Sequence, residues 1–246
     1  MDRIFRERLK DYDLTDAGSK REYNRRLFAV VAGRYDAVTS VLSFGRDRNW
    51  KRYLVDSLPR EGVTDALDLA CGTGDLTYAV AAHAPWARVT GLDLTPEMIR
   101  RARRLWHSYD SRIAFELGDM SALPYDDERF DIVTGGYALR NAPDLDASIK
   151  EIHRVLRPEG RLAILDFSHA DSRGIATVQI GLLRLWGRIW GKLLHDNPEV
   201  YGYISESLRQ FPSRKGLEEK LRKAGFYRVR SRTFFLGLIA VTFGRK

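Results

Sequence analysis

The chain has 246 residues, 44% of them hydrophobic and 30% charged, and 41 Lys and Arg against 33 Asp and Glu give a formal net charge of +8. Such a composition excludes a disordered or fibrous polypeptide and leaves room for one large or two small domains with a sizeable core. A single cysteine, Cys71, excludes an internal disulfide, and the basic balance is consistent with nucleic acid, an anionic membrane, or simply an ordinary basic surface.

The opening residues, MDRIFRERLKDYDL, are charged throughout and lack the apolar core of a secretory signal. No run reaches the ~18 consecutive apolar residues of a membrane span. The expectation is a cytoplasmic protein, free or resting on the inner face of a membrane. Residues 1–60 read as an N-terminal helical segment, interrupted near Gly45 and ended by a turn at 59–62. The rhythm then changes. TDALDLAC is a strand, DLTYAVAAHA a helix and ARVTGLDL a second strand. The next helix, TPEMIRRARRLWHSY, has Thr95 at its N-cap and Pro96 at its first position. RIAFELGD and FDIVTGGYAL are strands three and four. DLDASIKEIHRVL is a helix stopped by Pro158 and Gly160, and GRLAILDFS is strand five.

Strands alternating with helices predict an α/β core over 61–171, with a mostly parallel sheet covered on both faces. Residues 172–212 break the rhythm with a helical insert. Residues 213–246 resume it with the helix LEEKLRKAGF and two strands, YRVRSRTFF and GLIAVTFGR, predicted as an antiparallel edge hairpin.

In an open α/β sheet, ligands bind beyond the carboxyl ends of the strands. CGTGD lies there, where Gly72 and Gly74 permit positive φ and close approach to a ligand, and the helix behind offers free amides. A third glycine of the dinucleotide pattern is missing, so the loop alone is a weak signal. Asp93, at the end of strand two, lies where a carboxylate can take a ribose diol. Asp119 and Met120, at the end of strand three, suit an adenine amino group and ring. Three such features at successive strand ends predict a nucleoside site. With no Walker lysine after the loop, a nucleoside triphosphate is disfavoured.

The run LDLACGTGDL…GLDLTPEM…GDMSALPYDDERFDIV resembles the class I S-adenosylmethionine-dependent methyltransferases, which implies a Rossmann-like fold and that cofactor. YDAVTSVLSFGRDRNWKR, FDIVTGGYALRN, HRVLRPEGRLAILDFS and YGYISESLRQFP narrow the resemblance to the menaquinone and ubiquinone biosynthesis C-methyltransferase family, from about Phe28 to the C-terminus. That family methylates the ring of a polyprenyl quinol. The resemblance implies cofactor contacts at Thr73, Asp93, Asp119 and Met120, with Asp68, Cys71, Gly72, Gly74, Leu94, Gly118 and Gly136 completing the expected cofactor site. It implies catalytic positions at Arg140, Asn141 and Tyr35, and substrate contacts at Tyr137, Asp196, Tyr201 and Tyr203. Arg140 would stabilise a phenolate or hold a proton-accepting water, and Asn141 would orient a quinol oxygen. Arg140 could instead form a surface ion pair with Asp144 or Asp146.

Three positions depart from the family pattern: Gly136 where it carries serine, Thr39 where it has asparagine and Asp47 where it has histidine. His195 has no counterpart in the family and is read as a surface residue, and the histidines show no metal-ligand spacing.

Within the insert, Ile175, Val178, Leu182, Trp186, Ile189, Trp190 and Leu193 recur at helical spacing, opposite Arg184, Arg188 and Lys192. This stripe could lie on a lipid surface, roof a pocket for an isoprenoid tail, or pack on the sheet. A methyltransferase acting on another aromatic or lipid, a non-catalytic scaffold of a quinone-synthesis complex, and an RNA methyltransferase remain alternatives. The last lacks a basic tract interleaved with aromatics, so no nucleic acid is expected. The edge hairpin could pair in a homodimer.

Overall fold

The computed structural model describes residues 9–34, 39, 43, 45–106, 111–195 and 202–246. Its helices are α1 (Ala17–Val31), α2 (Asp47–Asp56), α3 (Asp75–His83), α4 (Pro96–Trp106), α5 (Leu145–Val155), α6 (Arg173–His195), α7 (Gly202–Gln210) and α8 (Arg214–Lys223). Its strands are β1 (Asp65–Leu69), β2 (Arg88–Asp93), β3 (Ile113–Leu117), β4 (Phe130–Gly136), β5 (Leu156–Phe167), β6 (Tyr227–Phe234) and β7 (Ile239–Arg245).

The seven strands form one sheet in the order β3-β2-β1-β4-β5-β7-β6. β1 to β5 pair in parallel, and β7 joins antiparallel to both β5 and β6. The order reverses at β1, so the sheet has a switch point between β1 and β4, where clefts form in this architecture. The predicted parallel core and antiparallel edge are therefore present. Every residue of β1 is buried, as expected of a central strand covered on both faces. One apolar cluster, containing Leu67, Val133, Ile149, Ile152 and Leu208, covers one face. A second, containing Trp50, Leu54, Val80, Ile132 and Val241, covers the other. A third joins α1 to α7 through Tyr23, Leu27 and Tyr203.

Helix starts follow their caps: Asp16 accepts from Ser19 N at 2.7 Å and Asp144 from Ala147 N at 2.9 Å. The helix expected to end at Leu156 stops at Val155, and β5, expected from Gly160, begins at Leu156. The register jumps from Phe130–Leu156 to Ile132–Arg161, so 157–160 bulge out of the sheet. Glu159 N donates to Lys246 O at 2.7 Å and Lys246 N to Gly160 O at 3.1 Å, which satisfies the displaced backbone. β6, the edge strand, exposes Arg228, Arg230 and Arg232, a charge pattern that discourages pairing with another chain.

The stripe on the insert splits in two. Trp186 and Trp190 are half-buried and meet edge to face at 5.6 Å. Ile175, Val178, Leu182 and Ile189 do not pack on the sheet; they are exposed, together with Leu185.

Candidate functional site

β1 delivers the chain to Ala70, Cys71, Gly72, Thr73 and Gly74. Ala70, Gly72 and Gly74 all take positive φ, 48°, 56° and 86°, folding the backbone back beneath the ligand side of the sheet. Gly74 caps α3, and a Cβ there would lie 2.6 Å from Phe115 Cζ, so both space and conformation demand glycine. Asp93, at the end of β2, is buried: Oδ2 accepts from Gly72 N at 2.9 Å and Oδ1 from Thr95 N at 2.8 Å. Burial pushes its carboxyl above the usual range, against those two hydrogen bonds. Asp119, past β3, accepts from Ser121 N at 2.8 Å and pairs with Arg21 Nε at 2.6 Å.

Gly72, Asp93, Leu94, Gly118, Asp119, Met120 and Gly136 line one cleft at the strand ends, roofed by Asn24 and Phe28 of α1 and floored by Met98 of α4. The cleft encloses about 50 Å³ beneath that roof. Asp68, Cys71, Thr73 and Gly74 lie outside its wall. Asp68 is completely buried, its two oxygens accepting from Thr134 Oγ1 at 2.9 Å and Thr77 Oγ1 at 2.7 Å. Burial pushes it up to about 6. It braces the loop from beneath. Cys71 is a buried thiol, pushed well up by burial and packed with Ile99, Ala102 and Phe115; it is not an activated thiolate.

Beside the cleft lies an apolar cavity of about 440 Å³, bounded by α1, the insert helices α6 and α7, and the turn before β7. Phe28, Tyr137 and Asn141 line both spaces. Tyr137 has φ 60°, a left-handed conformation at a non-glycine residue. Its N donates to Leu165 O at 2.6 Å and its Oη to Asp47 Oδ1 at 2.7 Å. Asp47 also pairs with Lys51 at 2.7 Å, and Lys51 with Asp75 at 2.6 Å. This chain of charges ties α2, the tyrosine and the first residue of α3 together.

Arg140 is not a surface residue: it is 4% exposed and lines the apolar cavity. Its backbone N donates to Asp166 Oδ2 at 2.9 Å, its Nε lies 3.5 Å from Asp166 Oδ1, and its Nη1 donates to Ser207 Oγ. The guanidinium sits 5.1 Å from the Phe167 ring and 5.8 Å from that of Tyr203. Burial raises the Asp166 carboxyl even with the arginine beside it. Lys20 on α1 is pushed down to about 8 by burial and by the charge of Arg140. Tyr203 is buried in the same wall, its phenol pushed up to about 12 by burial. Asn141 Nδ2 donates to Tyr137 O and Asn24 Nδ2 to Asn141 O, both at 2.7 Å. Among the described residues, the Oδ1 atoms of both asparagines are buried without a hydrogen-bond partner, an unusual state for a native amide.

The structure thus brings together Arg140, Asn141, Tyr137 and Tyr203 on the cavity side. Tyr35, Asp196 and Tyr201 lie outside the described residues. Arg21, Asn24 and Phe28, and the Asp166–Ser207 clamp, are absent from the sequence-based set. Among the described residues, no group of three His, Cys, Asp or Glu could hold a metal ion.

A family model described as the ubiE/COQ5 methyltransferase family matches residues 15–246. The chain belongs to that family. Within it, the chain is 33% identical over 235 residues to the demethylmenaquinone methyltransferase of Staphylococcus aureus strain JH9, covering 95% of this chain and 97% of that protein. The same figures hold for the enzyme of strain Newman. Solved structures extend the likeness to fold. A chain from the complex of the Haloferax volcanii Trm112 methyltransferase activator with a putative methyltransferase has a TM-score of 0.63 at 20% identity, covering 89% of this chain and 96% of that one. A putative methyltransferase of Bacillus halodurans scores 0.59 at 19% identity, covering 80% and 98%. Phosphoethanolamine N-methyltransferase 2 of Haemonchus contortus, solved with S-adenosyl-L-methionine, scores 0.57 at 18% identity, covering 76% of this chain and 38% of its own. The fold is that of the S-adenosylmethionine-dependent methyltransferases.

The cleft fits that cofactor. It offers carboxylates at two successive strand ends, two unpartnered amide oxygens, and Leu94, Met98 and Met120 for a flat ring.

Proposed function

We propose that this protein transfers a methyl group from S-adenosylmethionine to a ring carbon of a polyprenyl quinol, as demethylmenaquinol is methylated to menaquinol, working as a peripheral protein on the cytoplasmic face of a membrane. The observation that carries the reading is the wall shared by a polar strand-end cleft and an apolar cavity, formed by Phe28, Tyr137 and Asn141. A methyl group passes between two ligands only where their sites meet.

When bound, the cofactor supplies a methyl on a sulfonium that leaves in a single in-line displacement. Asp93 would hold the ribose hydroxyls and Asp119 the adenine amino group, once Arg21 yields its oxygen. Asn24 and Asn141 offer buried Oδ1 acceptors beside them. On the cavity side, a quinol carbon becomes nucleophilic when the adjacent hydroxyl gives its proton to a water molecule; once that carbon has taken the methyl it releases its own hydrogen as a proton and the oxygen is reprotonated, so one proton leaves per turnover. The Arg140 guanidinium, fixed by Asp166 and Ser207, places a desolvated positive charge in that wall, where it stabilises the phenolate. Asn141 accepts from a quinol hydroxyl and fixes the angle of the ring. Tyr137, held by Asp47, shapes the junction, and the N-terminal helices and the insert close the two spaces. The apolar cavity, 440 Å³ in volume, accommodates the ring and the start of its tail.

The test is incubation with S-adenosylmethionine and chemically reduced short-chain quinones, one demethylnaphthoquinol and one demethylated methoxy-benzoquinol, with mass spectrometry for one added methyl. Methylation of either supports the reading, and the preferred ring names the pathway. Cofactor binding without methylation of either ring would sink it.

A further inference from the structure

We propose that the outer face of α6, joined to Leu236 at the turn before β7, is a docking surface for an anionic lipid bilayer, and that the apolar cavity opens within it. The substrate's isoprenoid tail then stays in the lipid while its ring is methylated. The part concerning the tail rests on the quinol reading; the part concerning the lipid does not.

Around the axis of α6 the residues fall into three sectors. Ala176, Gln179, Gly187 and Gly191 are buried. Ile175, Val178, Leu182, Leu185 and Ile189 form an aliphatic stripe, each between 44% and 62% exposed. Arg184 and Arg188 flank that stripe in the open. No acidic residue occurs from Arg173 to His195. An aliphatic stripe without hydrogen-bonding groups, edged by Arg184 and Arg188 and by no acid of its own helix, is complementary to acyl chains beneath anionic headgroups. A protein partner would call for polar groups to pair at the rim.

The turn before β7 extends the stripe. Phe235, Leu236 and Gly237 all take positive φ, 49°, 55° and 84°, and this conformation holds Leu236 93% exposed. Nothing in water rewards an exposed leucine on a strained turn. The turn is bound to the helix: Gln179 Nε2 donates to Leu236 O at 2.9 Å, while its Oε1 accepts from Ala170 N at 2.9 Å. Helix face and turn therefore form one surface. Leu182, Leu185, Ile189, Phe235 and Leu236 are exposed and also line the cavity, so they form its mouth. A contiguous apolar patch around the entrance of an apolar cavity is how an enzyme takes a substrate from a membrane without passing it through water.

The experiment is co-sedimentation of the full chain with phosphatidylglycerol–phosphatidylcholine vesicles and with pure phosphatidylcholine vesicles, at low and high salt. Two exposed pairs outside the cavity wall are tested, Ile175→Glu with Val178→Glu, and Arg184→Glu with Arg188→Glu. The expected result is binding to anionic vesicles that salt weakens. The arginine pair should lose at least about 25-fold in affinity, at roughly fivefold for each cation removed, with the repulsion of the two added carboxylates on top. Both pairs should methylate a soluble short-chain quinol at the wild-type rate and lose activity on a long-tailed quinol embedded in vesicles. Wild-type protein that ignores anionic vesicles, or variants that bind them equally well, would overturn the proposal. So would a concentration-dependent dimer, seen by sedimentation velocity and abolished by Ile175→Glu with Val178→Glu, if no vesicle binding accompanied it. Vesicle binding lost in both pairs, together with no methylation of any quinol, would uphold the docking surface while removing the quinol reading.

Discussion

Replacing Arg140 with methionine separates what the buried guanidinium does for the fold from what it does for the reaction. Arg140 is 4% and Asp166 3% exposed, with Nε and Oδ1 3.5 Å apart. Methionine keeps the stem but strands the carboxylate, and breaking one side of a buried ion pair costs about 3–5 kcal/mol. Urea unfolding at pH 7 should show that loss. Arg140→Met combined with Asp166→Asn should recover part of it, with a coupling of about 0.5–3 kcal/mol. The penalty also has a pH signature. The Asp166 carboxyl is already raised by burial, and losing the cation raises it further, so the folded state holds a proton that the unfolded chain releases. Stability of the variant is therefore greatest near pH 4, falls as pH rises towards the folded-state value, and is level above it. Turnover on a quinol should drop by about 10²–10³, as for loss of an electrostatic stabiliser of developing negative charge. Cofactor affinity, measured by calorimetry, should stay within about twofold, because Arg140 is not in the wall of the strand-end cleft. A stability loss below about 1 kcal/mol, or cofactor affinity falling with turnover, would refute this division of roles.

Three further outcomes are expected. Asp68, pushed up to about 6, should make stability fall by about 3 kcal/mol between pH 4 and pH 6, and Asp68→Asn should flatten that slope in urea titrations at successive pH values. Asp93→Ala should raise the cofactor dissociation constant by about 10- to 100-fold, since each hydrogen bond to a charged acceptor is worth about 1.5–3 kcal/mol; calorimetry showing less than about threefold would take Asp93 out of the site. Gly136→Ser should fold with stability within about 1 kcal/mol of the parent, because a Cβ there lies 3.5 Å from Leu76 Cδ2 and 3.6 Å from Lys51 Cε, and a melt several degrees lower would contradict that packing.

The strand-end features were legible because each is local. A buried strand, a loop of small residues and an acid at the carboxyl end recur within a few positions, and they led to Gly72, Asp93 and Asp119. The same rule could have led to Asp166, the acid near the end of AILDFS, whereas nothing in YGYISES distinguishes Ser207 from Ser205. What sequence could not supply was their meeting. Ser207 reaches Arg140 from 67 positions away, Arg21 reaches Asp119 across 98, and Asn24 reaches the Asn141 carbonyl across 117. No periodicity encodes such pairs; they follow from α1 and α7 packing over the strand ends. Arg140 was weighed against a surface ion pair because charge is normally solvated, and only the fold reveals the acid and the aromatic rings that permit its burial. The start of β5 was placed four residues late because proline and glycine punctuate a strand bulge as readily as a helix stop.

α1 roofs both spaces at once: Asn24 and Phe28 over the cleft, Leu27, Phe28 and Val31 over the cavity. The roughly 50 Å³ beneath it is short of the roughly 300 Å³ at which small-molecule pockets begin, so the side chains of this helix have to give way for the proposed cofactor to be seated. If α1 as a whole shifts to do so, one element governs two exchanges. Spent cofactor and methylated product would each depart more slowly while the other still holds the helix down, which couples the two release steps. Turnover would be set by how often α1 rises, and each ligand would slow the escape of its neighbour through the helix that covers both.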